Sequence, residues 1–214
     1  MKYFKPFGQF DVAPLMEEIN KNEDAWLHNT GRQDNVKVQR ETQTIALRNA
    51  VSRTDLHINE NQESQWEELA PRFPLATKFM EDIAAKMNGT LSRAVIVRLQ
   101  PKGNVYLHID DGAYYLIRHR MHFVLQSKNG SMMMSGGEKV LMKEGELWWF
   151  DNRQHHQAIN NSEDWRIHYI FDVLPNKYKE LAVNPLPLDD VSARLEKKEP
   201  FVSLDPNKSA QASS

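Results

Sequence analysis

Two patterns of apolar and polar positions divide the chain. Up to about residue 90 the spacing is mixed, and from residue 91 onward it has a period of two. Helical spacing occurs at residues 14–19 and, more clearly, at residues 74–87. In the latter, Pro74 stands near the start, Leu75, Phe79, Ile83 and Ala84 form an apolar stripe, and Asn88-Gly89 ends it. A further short helix is predicted over residues 64–69, stopped before Pro71. Residues 36–38 and 42–47 are rich in β-branched side chains and read as strands. Strands then follow at residues 91–100, 104–110, 118–126, 138–142, 146–150 and 165–173. Turn signals such as Pro101-Lys102-Gly103-Asn104, Lys128-Asn129-Gly130 and Gly136-Gly137 separate them. Met132-Met133-Met134 reads as apolar lining on a strand or lid. Many short strands with tight turns predict a mainly β protein, an antiparallel barrel or jelly roll flanked by N-terminal helices. The expected organisation is residues 1–90 packing on the barrel, a core at 91–176, and an extension at 177–214 with a disordered tail from about residue 207.

Side chains alternate across a strand, so the character of each face is legible. One face of residues 104–110 carries Asn104, Tyr106, His108 and Asp110, and the other carries Val105, Leu107 and Ile109. Arg118, Arg120, His122 and Val124 share a face, opposite His119, Met121, Phe123 and Leu125. Arg166, His168, Ile170 and Asp172 lie together, opposite Trp165, Ile167, Tyr169, Phe171 and Val173. A sandwich with its polar faces in water accounts for alternation as such. It accounts less well for polar faces made of His, Arg and Asp instead of Lys, Glu, Ser and Thr. A barrel with a polar interior and apolar outer faces covered by the helices accounts for both.

Composition narrows the chemistry. The 214 residues, 24.9 kDa, suit one domain. There are 27 basic and 29 acidic residues, so bulk attraction to nucleic acid is not expected. No run approaches the roughly 18 apolar residues of a membrane span. Met1 to Pro6 lacks the apolar core of a secretory signal, and a cytoplasmic protein is expected. Cysteine is absent, which removes disulfides, thiolate nucleophiles, iron–sulfur clusters and thiolate-bound zinc. A metal would need nitrogen and oxygen ligands. Six of the eight histidines fall between positions 108 and 168.

His108-Ile109-Asp110 sets two ligand-type side chains on one strand face. His155 and His156 are the leading candidates for a third ligand. Two histidines and a carboxylate form the facial triad of non-haem iron(II) oxygenases, which leaves positions open for other ligands. Arg166 follows ten residues after His156.

Taken together, His108-Ile109-Asp110, Arg120-Met121-His122, Trp149-Phe150-Asp151-Asn152, His156, Arg166 and the ending Phe171-Asp172-Val173-Leu174-Pro175 resemble a known family. It is the aspartyl/asparaginyl β-hydroxylase-like branch of the 2-oxoglutarate, iron(II)-dependent dioxygenases, which includes small bacterial proline hydroxylases. The likeness covers roughly residues 91–176, with a weaker echo at Thr42-Gln43-Thr44-Ile45. It implies a double-stranded β-helix, a cupin-like jelly roll. It implies Fe(II) held by His108, Asp110 and His156, the family spacing selecting His156 over His155. It further implies 2-oxoglutarate paired with Arg166 and assisted by His122, O2 as the oxidant, and hydroxylation of an unactivated C–H bond. Arg120, on the face of His122, is expected to reach cosubstrate or substrate, and an ordinary ion pair is expected of Arg118. The substrate expected is a small molecule, an amino acid or an Asp, Asn or Pro residue. One of Arg48, Arg93, Arg98 or Arg118 is a candidate to touch it. His168 is expected to be a hydrogen-bonded core histidine, and Trp148, Trp149 and Phe150 core residues. The alternatives are a cupin-like metal enzyme that does not use 2-oxoglutarate, or a non-catalytic jelly-roll binding protein.

Overall fold

A computed structural model describes residues 1–28, 37–51 and 63–183. Eleven strands form among these residues: β1 (Phe4–Gln9), β2 (Thr42–Ala50), β3 (Ser64–Trp66), β4 (Gly89–Leu99), β5 (Asn104–His108), β6 (His119–Gln126), β7 (Ser131–Ser135), β8 (Glu138–Val140), β9 (Glu146–Phe150), β10 (His156–Asn160) and β11 (Arg166–Pro175). They build a seven-stranded sheet ordered β1-β9-β6-β11-β4-β2-β3 and a four-stranded sheet ordered β5-β10-β7-β8. From β4 onward the chain passes back and forth between the two sheets, and all strand pairs are antiparallel. This winding is a double-stranded β-helix, the jelly-roll fold expected from the alternation.

The outer face of the large sheet is the main core. Ile45, Leu47, Ile96, Phe123, Tyr169 and Phe171 are fully buried there. Helix α1 (Ala13–Lys21) and helix α2 (Pro74–Lys86) cover it, with Ile19, Met80 and Ile83 pointing inward. Phe73 provides no side-chain cap for α2. Glu18 of α1 does so instead, its carboxylate accepting the backbone N–H groups of Leu75 and Ala76 at 2.7 and 2.9 Å. One contact thus caps α2 and joins the two helices. The inner face meets the small sheet through Leu99, Val124, Trp148 and Phe150, packed on Met133, Val140 and Ala158. Among the described residues no helix is long and apolar enough to cross a membrane.

Several local expectations give way to pairing. Residues 64–69 are not a helix: Ser64–Trp66 is a strand paired with Ala50, Asn49 and Arg48 of β2. Six residues are too few to sustain a helix alone, whereas an open sheet edge offers backbone hydrogen bonds at once. Lys37–Gln39 is one 3-10 turn, not a strand. Strands β1 and β10 escape the pattern because Pro6 and Gly8 interrupt the first and polar residues flank Ala158-Ile159 in the second. Met132-Met133-Met134 lies within β7. A short helix, α3 (Ala113–Leu116), also appears where none was expected. The tail expected to be disordered, from residue 207, lies outside the described residues, as does His57.

Candidate metal centre

A cavity of about 430 Å³ opens between the inner face of the large sheet and the small sheet. His108, Asp110, Arg120, His122, His156 and Arg166 all line it. His108 and His156 are directly opposed across the β5–β10 ladder, and their ring centroids lie 4.2 Å apart. Asp110 follows two residues after the end of β5. Its Oδ1 is 3.8 Å from His108 Nε2 and its Oδ2 is 3.7 Å from His156 Nε2. One donor atom from each of the three lies within 4.8 Å of the others.

Simple alternation does not describe β5. Between His156/His108 and Ala158/Val105, two steps on β10 match three on β5, so β5 carries a bulge. Val105 and His108 therefore both face the cavity. Tyr106, expected beside His108, turns outward to hydrogen-bond Glu41 and Arg40, and Leu107 is exposed. Beyond Asp110 the chain turns at Gly112, whose φ of 101° suits glycine, into α3, and Tyr115 of that helix lines the cavity.

Both imidazoles are oriented from behind. His108 Nδ1 lies 2.7 Å from the Tyr106 carbonyl and His156 Nδ1 2.9 Å from that of Gln154. A carbonyl only accepts, so each Nδ1 carries the proton and each Nε2 lone pair is left for a metal. Burial pushes the His156 imidazole down to about 4, outweighing the opposing influence of Asp110. It is neutral at ordinary pH. His155 is exposed.

Asp110 is held by two neighbours. Its backbone N–H donates to the Asn152 carbonyl at 3.0 Å. Its Oδ2 accepts Asn152 Nδ2 at 3.1 Å and Arg120 Nη1 at 2.6 Å. Arg120 turns its other side to Asp172, donating Nε to Oδ1 and Nη2 to Oδ2, both at 2.9 Å. Asp172 also accepts the Tyr114 hydroxyl at 3.1 Å. Burial works against the charge on Arg120, but Asp172 and Asp110 hold its guanidinium well above its usual value. Burial likewise works against the Asp110 carboxylate, and Arg120 and His156 hold it below the usual range. Asn152 and Asp172 belong to the motifs quoted above, but the strand pattern assigned neither a task.

Across the cavity Arg166 is buried, and its Nη2 has no hydrogen-bond partner among the described residues. Burial alone pushes its guanidinium down to about 9. His122 lines the cavity nearby, and His168 stands behind it with Nδ1 3.4 Å from His122 Nδ1. Burial, with the charge of Arg166 adding to it, holds both imidazoles well below their usual value. His168 is thus a core histidine as expected, but its Nε2 has no partner among the described residues. These donors fit an anion, as the two imidazoles and one carboxylate fit a divalent cation.

The remaining arginines separate cleanly. Arg98 lies on the outer face between the rings of Trp26 and Trp165, each 4.5 Å away, and pairs with Glu23. Arg48 donates to the Ser64 carbonyl and lies over Trp66. Arg118 is buried, donating to Ser92 Oγ and the Tyr114 carbonyl. Of the four, only Arg93 lines the cavity, its guanidinium 3.7 Å from the centre of the Tyr114 ring. Phe150, read as core, also lines the cavity and packs edge-on against His156 and His122. His28 is exposed, 3.5 Å from Glu68.

Solved structures that align include a 2OG-Fe(II) oxygenase family oxidoreductase from Burkholderia pseudomallei, at 12% identity and a TM-score of 0.49, covering 78% of this chain and 91% of that one. A viral collagen prolyl hydroxylase from Paramecium bursaria Chlorella virus-1 aligns at 12% identity and a TM-score of 0.44, covering 81% and 96%. A cupin domain from Bordetella pertussis aligns at 12% identity and a TM-score of 0.31, covering 40% and 90%. No curated protein sequence matches. The sequence model described as Aspartyl/Asparaginyl beta-hydroxylase matches residues 18–175, and over that span, which holds every cavity residue named above, the chain belongs to the aspartyl/asparaginyl β-hydroxylase family.

Proposed function

We propose that this chain is a 2-oxoglutarate- and Fe(II)-dependent hydroxylase acting on a small substrate, with a free amino acid or an Asp, Asn or Pro residue as the class preferred. One observation carries the reading: a cluster of two imidazoles and a carboxylate shares a cavity with a buried guanidinium that has no acidic partner among the described residues. A cupin-like enzyme without 2-oxoglutarate has no need of that guanidinium, and burying it unpaired costs several kcal/mol.

His108 Nε2, His156 Nε2 and Asp110 would hold the iron, and Arg166 with His122 would hold the distal carboxylate of 2-oxoglutarate. Iron, cosubstrate and oxygen together supply an oxidant able to attack an unactivated C–H bond. The chain supplies position. The carbonyls of Tyr106 and Gln154 fix the two rings, and Arg120 with Asn152 occupies one oxygen of Asp110, leaving the other turned toward His108. Phe150, Val105 and Met133 give the cavity apolar walls. At about 430 Å³ the cavity is near the lower end of the roughly 300–1,000 Å³ typical of small-molecule sites, which favours a small substrate.

Anaerobic addition of Fe(II) and 2-oxoglutarate to the purified protein is expected to produce a weak visible charge-transfer band. Folded protein that shows no band would remove this reading. Succinate release across a panel of free amino acids and short Asp-, Asn- or Pro-containing peptides then identifies the substrate.

A further inference from the structure

His122 and His168 form a buried pair with an ambiguity that the surrounding structure resolves. Their Nδ1 atoms face each other at 3.4 Å. Burial beside Arg166 keeps both rings neutral, so each has a single N–H. Only one of the two Nδ1 atoms can carry the proton in a donor–acceptor contact. If His122 donates, His168 has its proton on Nε2, which is buried and has no partner among the described residues. If His168 donates, that same Nε2 is a bare lone pair. An orphaned buried N–H is rarer and costlier than an unpaired acceptor, so the second arrangement wins. His122 then accepts at Nδ1 and must carry its own proton on Nε2, the nitrogen on the opposite edge of a ring that lines the cavity.

We infer that His168 is a positioning residue: by donating Nδ1–H to His122 it fixes the tautomer in which His122 presents Nε2–H to an anionic group held beside Arg166. The reverse tautomer would turn a lone pair toward a carboxylate and repel it. The inference deepens the proposed function and rests on it for the identity of the anion, 2-oxoglutarate.

Two measurements keep the inference and that reading apart. Long-range proton–nitrogen correlation spectra of the full chain labelled with 15N-histidine, assigned by comparison with His122→Gln, report the His122 tautomer with no ligand present. The wild type is expected to have its proton on Nε2. In His168→Leu the two tautomers are expected to mix. In His168→Asn, whose amide nitrogen reaches about as far as Nδ1, the wild-type tautomer is expected to return. The second measurement titrates 2-oxoglutarate against the Fe(II)-loaded proteins under anaerobic conditions. Affinity is expected to fall about tenfold in His168→Leu and to recover in His168→Asn, with Fe(II) affinity the same in all three. A wild-type proton on His122 Nδ1, or a His168→Leu protein with unchanged tautomer and affinity, would overturn the inference. If His168→Leu does not fold, the wild-type spectrum decides alone. A wild type with the Nε2 tautomer that binds no 2-oxoglutarate would retain the tautomer assignment and sink the hydroxylase reading.

Discussion

The two ends of the cavity are built on opposite electrostatic plans. At one end two carboxylates, Asp110 and Asp172, share one guanidinium, Arg120, beside the imidazoles of His108 and His156. At the other end Arg166 stands with two neutral imidazoles and no acid among the described residues, which leaves one positive charge. A lone buried charge is costly unless something pairs with it. The first end is therefore suited to a cation and the second to an anion, and one cavity joins them. The difference also separates arginines that composition treats alike. Arg120 is occupied by the protein itself, whereas Arg166 Nη2 has no hydrogen-bond partner among the described residues.

The strongest test of this asymmetry removes the anion end. Arg166→Gln is expected to weaken 2-oxoglutarate binding roughly 100-fold or more while Fe(II) affinity changes little, read by anaerobic titration of each. The same variant without ligand should be at least as stable as the wild type to denaturant, because it loses an unpaired buried charge. A marked loss of stability would mean that Arg166 has a partner within the protein. Breaking the other end should do the reverse. Asp172→Asn removes half of a buried ion pair and is expected to cost about 3 kcal/mol of stability in chemical denaturation, with Fe(II) binding weakened through Asp110. Equal stability would show that Arg120 does not depend on that carboxylate.

Acid should sharpen the comparison. His156, His122 and His168 have lower proton affinity folded than unfolded, so the unfolded chain takes up more protons below about pH 6.5. Stability contributed by their neutral forms is complete above that pH and is lost as pH falls towards the folded values, about 4 for His156. Metal-free protein should lose about 1.4 kcal/mol per pH unit for each such histidine below about pH 6, measured by denaturation at several pH values. His168→Leu should lower that slope. The smallest effect is expected outside the cavity. Arg98→Ala removes a guanidinium from between Trp26 and Trp165 and should cost about 1 kcal/mol while leaving Fe(II) and 2-oxoglutarate affinity unchanged.

Legibility in the sequence follows the same division. Strands β6 and β11 are regular in the middle, so alternation placed Arg120 and His122, and Arg166 and Asp172, on the cavity face. In β5 the same rule failed at Tyr106, because a bulge adds a residue that leaves no mark in composition. Residues 64–69 read as a helix for a similar reason. Their hydrophobic spacing is real, but the free edge of β2 competes for the backbone and wins.

Local chemistry alone determined the class of fold, the set of possible ligand atoms and the absence of thiolate among them, since side-chain period and residue type are properties of the chain. Which ligand atoms meet, which guanidinium is neutralised and which stays bare, and how His168 stands behind His122 were decided only by tertiary structure. Each depends on the registers of strands distant in sequence and on the exclusion of water, and no stretch of chain contains either by itself.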